Sequence, residues 1–217
     1  MNKIDCVIRR ETANDHRTVE TIIREAFWNF HAPGCSEHYF AHMMRDHRDF
    51  VPELDFVAEV DGRIAGSILY TTSLLVDDEG TEKKILTFGP IAVAKEFQRM
   101  GIGKKLMEHS FAEAVKLGFN VIVIFGNIGN YASSGFVSCK KHNVCLGEIY
   151  PSALLVRELV PGALDGRRWS YVESDAAQCC EDTEAVEAFD ALFPPKEKKW
   201  QPSQEEFYIS SHSVIVR

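Results

Sequence analysis

The sequence lacks the hydrophobic signals that would tie the chain to a membrane. No window approaches the roughly 18 uninterrupted apolar residues of a membrane-spanning helix. The N-terminal residues 1–6 run directly into charged residues and lack the apolar stretch of a signal peptide. We therefore expect a cytoplasmic protein that has no membrane partner.

Cysteine is scarce and shows no regular spacing. The chain has 6 cysteines, at positions 6, 35, 139, 145, 179 and 180. They form no Cys-x-x-Cys pair, and two of them are adjacent. This scatter fits free thiols in a reducing compartment better than a disulfide framework.

An excess of basic residues is also missing, since the formal net charge is -8. This balance argues against a non-specific nucleic-acid binder, which needs a basic surface to neutralise phosphates. It does not exclude a local basic pocket for a phosphorylated cofactor. The 217 residues are 45% hydrophobic and 26% charged, which suits one globular domain with an elaboration.

Apolar spacing predicts an alternation of helices and strands. Helices are predicted over 14–27, 36–48 and 104–117, with shorter ones over 129–134 and 183–192. Strands are predicted over 6–10, 56–60, 64–76, 85–93, 120–125, 136–146, 152–160 and 207–216. Asp61-Gly62 joins two of the strands as a hairpin turn, because this pair readily adopts positive φ.

Turn-forming pairs at Pro161-Gly162 and Asp165-Gly166 divide the chain into a core over 1–165 and a C-terminal extension over 166–217. The extension contains 7 aromatic residues, too many for a disordered linker, so we expect it to pack on the core. Whether it shapes a binding site, forms a dimer contact or covers a sheet edge stays open.

A glycine-rich turn connects a predicted strand to the helix over 104–117. It reads Gln98-Arg99-Met100-Gly101-Ile102-Gly103. Such a turn presents unpaired N–H groups and the positive end of the helix dipole, and glycine lets a ligand approach the main chain. A diphosphate is the natural complement, although Gly-x-Gly alone fits an ordinary tight turn equally well. The motif is neither a dinucleotide fingerprint nor a P-loop.

With its surroundings, the turn resembles the GCN5-related N-acetyltransferase superfamily, whose signature is Gln/Arg-x-x-Gly-x-Gly/Ala after a strand. The resemblance covers about residues 6–160. It implies that the loop amides hold the pyrophosphate of acetyl-CoA and that a bulged strand at Gly89-Pro90 contacts its pantetheine and acetyl carbonyl. The implied cofactor-binding residues are Ile91, Ala92, Val93, Gln98, Arg99, Met100, Gly101, Ile102, Gly103, Lys104 and Asn127.

A second family element follows the strand over 120–125. Asn127 matches an Asn near the strand end, and Tyr131 to Phe136 match Tyr-x-x-x-Gly-Phe. The resemblance implies that Tyr131 is the general acid for the departing CoA thiolate. A phenol pKa of about 10 is close to a thiol pKa of about 8.5, so this proton transfer is not steeply uphill. The alternative is that Tyr131 only packs against the cofactor, and Phe136 is interpreted as a core residue.

Residues 126–136 and 155–166 look like the YhbS-like bacterial branch of that superfamily. The branch commonly has Gly-Asp-Pro-x-Tyr-Tyr at the start of the first of these two segments. Here Asn127 and Ile128 replace the Asp and Pro, and Asn130 replaces the first Tyr. The cofactor assignment carries over, but the substrate of the branch does not.

The residue that deprotonates the acceptor amine is not evident from the sequence, although such a base is expected. The candidates are Glu25, His31, His38, His42 and Glu59. Two of these histidines also have the i, i+4 spacing of a metal pair, but no third ligand is indicated and we expect no metal. Cys139 and His142, a conceivable nucleophile and base, are interpreted as incidental.

These observations predict an α/β fold with a mixed, mostly antiparallel sheet of about six or seven strands and helices on both faces. A V-shaped opening is expected between the strands that end near Val93 and Phe125. The predicted function is direct transfer of an acetyl group from acetyl-CoA to a primary amine. The acceptor could be a peptide N-terminus or a small polyamine or antibiotic amine. A homodimer is also left open. The alternative is an acyl-CoA-binding sensor or interaction module without transferase activity.

Overall fold

The structure is a computed structural model that describes residues 5–216. Residues 1–4 of the predicted core and residue 217 of the predicted extension lie outside the described residues. The helices are α1 (His16–Phe27), α2 (Glu37–Met44), α3 (Ile102–Lys116), α4 (Ile128–Tyr131), α5 (Thr183–Asp190) and α6 (Pro202–His212). The strands are β1 (Val7–Arg10), β2 (Phe56–Val60), β3 (Arg63–Asp77), β4 (Glu82–Val93), β5 (Val121–Phe125), β6 (Val137–Ser138), β7 (Val144–Cys145), β8 (Leu154–Glu158) and β9 (Trp169–Val172).

All described strands belong to one sheet. Its order is β1-β2-β3-β4-β5-β8-β6, and β9 pairs with both β3 and β7. Within residues 5–216 only the β4–β5 and β7–β9 pairs are parallel. The β2–β3 hairpin turns at Asp61 and Gly62, whose φ angles of 50° and 73° suit a type I′ turn. The predicted mixed, mostly antiparallel α/β fold is confirmed.

Helices cover both faces of the sheet, as predicted. On the face that we call the α3 face, α3 packs over Leu86, Phe88 and Ile122. On the opposite face, called the α1 face, α1 and α2 pack over Val57 and Leu69. None of the helices within residues 5–216 combines the length and the apolar character that crossing a membrane requires.

Strand β4 is irregular near its C-terminal end. Ile91 lies opposite Ile68, whereas Phe88 lies opposite Tyr70, so β4 contains one extra residue around Gly89–Pro90. On its other side, the described pairing of β4 with β5 is limited to Leu86 opposite Ile122. The two parallel strands therefore separate beyond this position and form the expected opening.

The C-terminal segment is joined to the rest of the chain by pairing and by a buried ion pair. Strand β9 pairs along the part of β3 that extends beyond β2, with Tyr171 opposite Leu75. Helix α5 is held to α1 by Arg24, whose Nε lies 2.6 Å from Asp190 Oδ1. Because the Arg24 side chain is only 2% exposed, this ion pair is shielded from solvent.

Helix α6 crosses from the α1–α2 connection to the segment before β8. The Phe207 and His31 ring centroids are 4.3 Å apart, and Ser152 Oγ donates to the Ser210 carbonyl at 2.9 Å. The prediction of a strand over 207–216 is therefore wrong. Pro202 stands at the first helical turn, where its fixed φ favours a helix. Only Val214 retains an isolated bridge, to Pro151.

Two other strand predictions differ from the structure. The single strand expected over 136–146 is divided into β6 and β7 by a 3₁₀ turn at Cys139–His142. Strand β9 was not predicted at all, because its four residues give too short an apolar pattern. These short strands explain why the described sheet has nine strands where about six or seven were expected.

Candidate functional site

The last residues of β4 direct main-chain groups into the opening. Ala94 N–H donates to the Ala65 carbonyl at 2.9 Å, which fixes the alternation of the ladder. The main chain of Ala92 therefore also faces β3, and its side chain is buried on the α1 face. The main-chain N–H and C=O groups of Ile91 and Val93 point away from β3, towards the side where β5 has diverged. The Val93 carbonyl accepts a hydrogen bond from Gln98 Nε2 at 3.1 Å.

The glycine loop lies beside these residues and begins α3. Arg99 and Gly101 have φ angles of 65° and 83°, in the left-handed region. The first hydrogen bond of the helix runs from Lys105 N–H to the Gly101 carbonyl at 3.0 Å. The N–H groups of the three preceding residues are therefore not used by the helix. A Cβ on Gly103 would lie 3.6 Å from Val93 Cγ2, so the loop and the strand end are in contact.

One flank of the loop is unsuitable for an anion. A surface cavity of about 430 Å³ beside Phe97 and Met100 is also lined by Asp5, Asp61 and Glu96, and Arg63, the one cation that lines it among residues 5–216, is paired with Glu96. The net negative charge of this lining repels a diphosphate, whereas the N-terminus of α3 attracts one through its dipole and free N–H groups. The electrostatics therefore favour phosphate binding at the helix end and not in this cavity.

Tyr131 lies at the end of α4 on the α3 face. The Asn127 side chain caps this helix by accepting a hydrogen bond from Gly129 N–H at 2.8 Å. The Tyr131 ring rests against Gly126, because a Cβ there would approach Cε2 to 2.5 Å. Its ring centroid is 5.8 Å from that of Phe88 and 5.8 Å from that of Phe136. These contacts fix the ring beside the bulged strand.

The Tyr131 hydroxyl is in a suitable state to donate a proton. Burial raises its pKa above the usual value, so it is protonated near neutral pH. It has no hydrogen-bond partner among residues 5–216. A protonated phenol without a protein partner is free to act on a ligand. Phe136 is buried in the α3-face core, as predicted.

The five base candidates from the sequence each have a charged partner in the structure. The pairs are Glu25 with Lys196, His31 with Glu37, His38 with Asp190, His42 with Glu20, and Glu59 with Arg9. His38 and His42 approach different carboxylates, so they do not converge on one metal position. The structure therefore gives none of the five an evident role as a base.

Cys139 is not prepared as a nucleophile. Its side chain is buried, and its Sγ donates to the Pro151 carbonyl at 3.5 Å. Burial raises the pKa of the thiol to about 11, so the reactive thiolate is scarce near neutral pH. Interpreting Cys139 and His142 as incidental agrees with this environment.

A polar group that sequence reasoning missed lies on the α1 face. Thr87 Oγ1 is 2.8 Å from Tyr171 Oη and 3.0 Å from Ser73 Oγ. Burial, together with the charge of Glu173, raises the pKa of Tyr171 to about 12. The sequence did contain a signal in Ser73 and Thr87, which are polar positions within apolar strands. Their partner Tyr171 is 84 positions from Thr87, and only the register of β9 brings it there.

The comparisons with known proteins concern the family and the fold. The model of the Acetyltransferase (GNAT) family matches residues 22–139. The Escherichia coli (strain K12) protein named Uncharacterized N-acetyltransferase YjhQ is 27% identical over 88 residues, which cover 41% of this chain. The match spans 48% of that relative, or about half its length.

Two solved structures share the fold. The Escherichia coli GNAT family N-acetyltransferase YhbS, in complex with CoA, has a TM-score of 0.69 and 21% identity, covering 81% of this chain and 93% of that one. A GNAT family acetyltransferase from Brucella melitensis, in complex with acetyl-CoA, has a TM-score of 0.62 and 22% identity. That match covers 79% of this chain and 97% of the Brucella chain. At these identities the likeness concerns the fold.

Proposed function

Because the chain belongs to the GNAT acetyltransferase family, we propose that it transfers the acetyl group of acetyl-CoA to a primary amine. One observation carries the proposal. The main-chain groups of Ile91 and Val93 point into the opening, next to a helix N-terminus whose first amides are unused. A thioester carbonyl and a diphosphate both need N–H donors, and here the two sets of donors lie side by side.

The cofactor assignment follows the same geometry. The pyrophosphate binds the amides from Arg99 to Lys104, with Met100, Gly101, Ile102 and Gly103 between them. The main-chain groups of Ile91 and Val93 bind the pantetheine and polarise the acetyl carbonyl, and Ala92 lies between these two residues in the strand. Gln98 ties the loop to the strand, and Asn127 orients α4 beside the cofactor. Support comes from the two structures of the same fold, which hold CoA and acetyl-CoA.

The proposed reaction is direct attack of the amine on the thioester within a ternary complex. Tyr131 protonates the departing CoA sulfur, since its phenol is protonated near neutral pH and has no protein partner in the described part of the chain. The poorly reactive Cys139 thiol argues against an acetyl-cysteine intermediate. The proposed chemistry requires no metal ion.

Thiol release tests this function. The protein is incubated with acetyl-CoA and a panel of peptide, polyamine and aminoglycoside amines, while free CoA thiol is followed. We expect release that depends on an amine and is accompanied by an acetylated amine product. Saturable CoA binding without release on any amine contradicts transfer and favours the acyl-CoA sensor. Absence of both contradicts the cofactor assignment as well.

Three further expectations from the sequence remain proposals. We propose a core over 1–165 with an extension over 166–217 that packs on it. We also propose a cytoplasmic location, where the cysteines, all free in the structure, would stay reduced. A homodimer is a third expectation, which sedimentation of the purified protein would test.

A further inference from the structure

A polar platform lies on the α1 face beside the opening. Its members are Ser73, Thr87 and Tyr171, linked by the hydrogen bonds described above. Thr87 stands two positions before Gly89–Pro90, so the platform adjoins the bulge of β4. The Tyr171 ring centroid is also 6.2 Å from that of Phe125, the last residue of β5. The platform therefore connects the two strands that border the opening.

Glu173 follows β9 at the edge of this platform. Val172 pairs with Leu74, so the same register continued by one residue places Glu173 next to Ser73. Because side chains alternate along extended backbone, Glu173 is expected on the same face as Tyr171. This position agrees with the charge of Glu173 raising the pKa of Tyr171.

The backbone around Glu173 is anchored at its C-terminal side. Ser174 Oγ donates to Asp49 Oδ2 at 2.7 Å, and Arg48 Nη2 donates to Asp175 Oδ2 at 2.9 Å. His47 is part of the same anchor, since its Nδ1 accepts from Asp49 N–H and its Nε2 is 3.1 Å from Asp175. Both ring nitrogens are thus occupied by protein groups, which favours an anchor over a metal site. With β9 on the other side, Glu173 has a fixed position.

The Glu173 carboxyl lacks a partner in the described part of the chain. Among residues 5–216 it accepts no hydrogen bond and pairs with no cation. Glu173 is an exposed residue and therefore accessible to a ligand, while the protein atoms on its inner side desolvate the carboxyl and raise its pKa. A partly desolvated carboxylate without a partner is unfavourable, and an ammonium ion would relieve this cost.

Resting on the proposed function, we propose that Glu173 binds the acceptor amine as its ammonium form and takes a proton from it. The substrate class is a cationic primary amine attached to an apolar group. The apolar part has a surface available in Phe125, which is 43% exposed at the end of β5 and contacts Tyr171. Tyr171, which is buried and fixed by Thr87, packs against Phe125 and supports its ring.

The nitrogen of the acceptor loses two protons in this reaction. Glu173 takes one proton from R–NH₃⁺, and the lone pair of the resulting amine forms a C–N bond with the acetyl carbonyl carbon. The C–S bond breaks, and the sulfur receives the Tyr131 proton. The second proton lost by the nitrogen restores Tyr131, and Glu173 releases its proton to solvent. The net products are the acetamide, free CoA and one proton.

The test compares Glu173→Gln with the wild type, using 2-phenylethylamine, spermidine and an alanyl dipeptide as probes. We expect kcat/KM for the best amine to fall by about 10²-fold or more, because binding charge and base are both lost. The KM for acetyl-CoA and the melting temperature stay unchanged. Glu173→Asp restores part of the rate. Glu181→Gln makes the same charge change on an exposed residue of the same segment and has wild-type kinetics.

Two results overturn the inference. One is unchanged amine kinetics in a folded Glu173→Gln variant, which leaves the proposed function intact. The other is an equal loss in Glu181→Gln, which would indicate a general charge effect. If the wild type releases no thiol with any amine, the proposed function fails. Calorimetry then decides the inference, since the same amines must bind the wild type and not Glu173→Gln.

Discussion

The two sides of the opening are built from different material. On the α3 face, the proposed donor side uses main-chain groups from residues 91–104, which are close together in the sequence. On the α1 face, the proposed acceptor side uses side chains of Ser73, Thr87, Tyr171 and Glu173, which come from three strands and the residue after β9. Main-chain groups are present whatever the side chains are, whereas a side-chain site changes with single substitutions. The donor side is therefore suited to a constant cofactor and the acceptor side to a variable substrate.

The difference extends to stability. The donor loop belongs to α3, whose apolar face packs into the central core. The acceptor side requires the C-terminal segment, which is fastened to α1 by the buried Arg24–Asp190 pair. A lesion in that segment should harm amine recognition before it harms CoA binding. The predictions below test this separation, beginning with the largest expected effect.

Tyr131→Phe should separate chemistry from binding. Loss of a general acid typically lowers the rate by about 10²–10⁴-fold, so kcat should fall by that factor. Affinity for CoA should change by less than about threefold, because the ring contacts with Phe88 and Phe136 are kept. Steady-state kinetics and calorimetry with CoA measure the two effects. An unchanged kcat would reduce Tyr131 to a packing residue.

Asp190→Ala should weaken the acceptor side through its anchor. Removing this carboxylate leaves Arg24 buried without its partner, which typically costs about 3–5 kcal/mol. We expect urea unfolding to show this loss of stability. Relative to wild type, the KM for the amine should rise by a larger factor than the KM for acetyl-CoA. Glu187→Ala is the matched control, since its carboxylate is exposed on the same helix. Equal losses in both variants would contradict the role of the buried pair.

The glycine loop allows a matched comparison on the donor side. Gly101 has φ 83° with open space at its Cβ position, so Gly101→Ala introduces only backbone strain. The free loop of the variant can relax, so it must regain the strained conformation when CoA binds. A strain of about 1–2 kcal/mol then corresponds to roughly a 5–30-fold weaker CoA affinity. Gly103→Ala would meet Val93 Cγ2 at 3.6 Å, an ordinary contact, and should remain within about threefold of wild type. Calorimetric titration with CoA measures both, and equal affinities would contradict the geometry of the loop.

Asp55 is a buried carboxyl that does have a neighbour, in contrast to Glu173. Burial, then a hydrogen bond with Glu11, raises its pKa to about 9. Its unfolded value is about 3.9, so its stabilising contribution is complete below that pH and is lost as pH rises towards 9. Asn imitates the protonated form. Asp55→Asn should therefore raise the melting temperature more at pH 8 than at pH 5, by about 3 °C or more. An equal gain at both pH values would contradict the raised pKa.

The sequence yields a specific hypothesis for the donor side but no specific one for the acceptor side, for a physical reason. Gln98 to Gly103 are adjacent in the chain, so the loop and its helix are visible as one local pattern. The Gly89–Pro90 irregularity is local too. Glu173 meets Ser73 only through the register of β9, and no local pattern encodes that pairing. The error at 207–216 has a different cause, since the apolar runs over 207–209 and 214–216 outweighed the local helix-starting signal of Pro202.

The location of a labelled acetyl group in a single turnover tests the central claim most directly. The protein, in excess over acetyl-CoA labelled in its acetyl group, is mixed with the best amine or with buffer alone. Direct transfer predicts stoichiometric free CoA and labelled acetamide with the amine, and intact acetyl-CoA without it. Labelled protein, or thiol release that needs no amine, would contradict direct transfer from a donor held by Ile91, Val93 and the glycine loop.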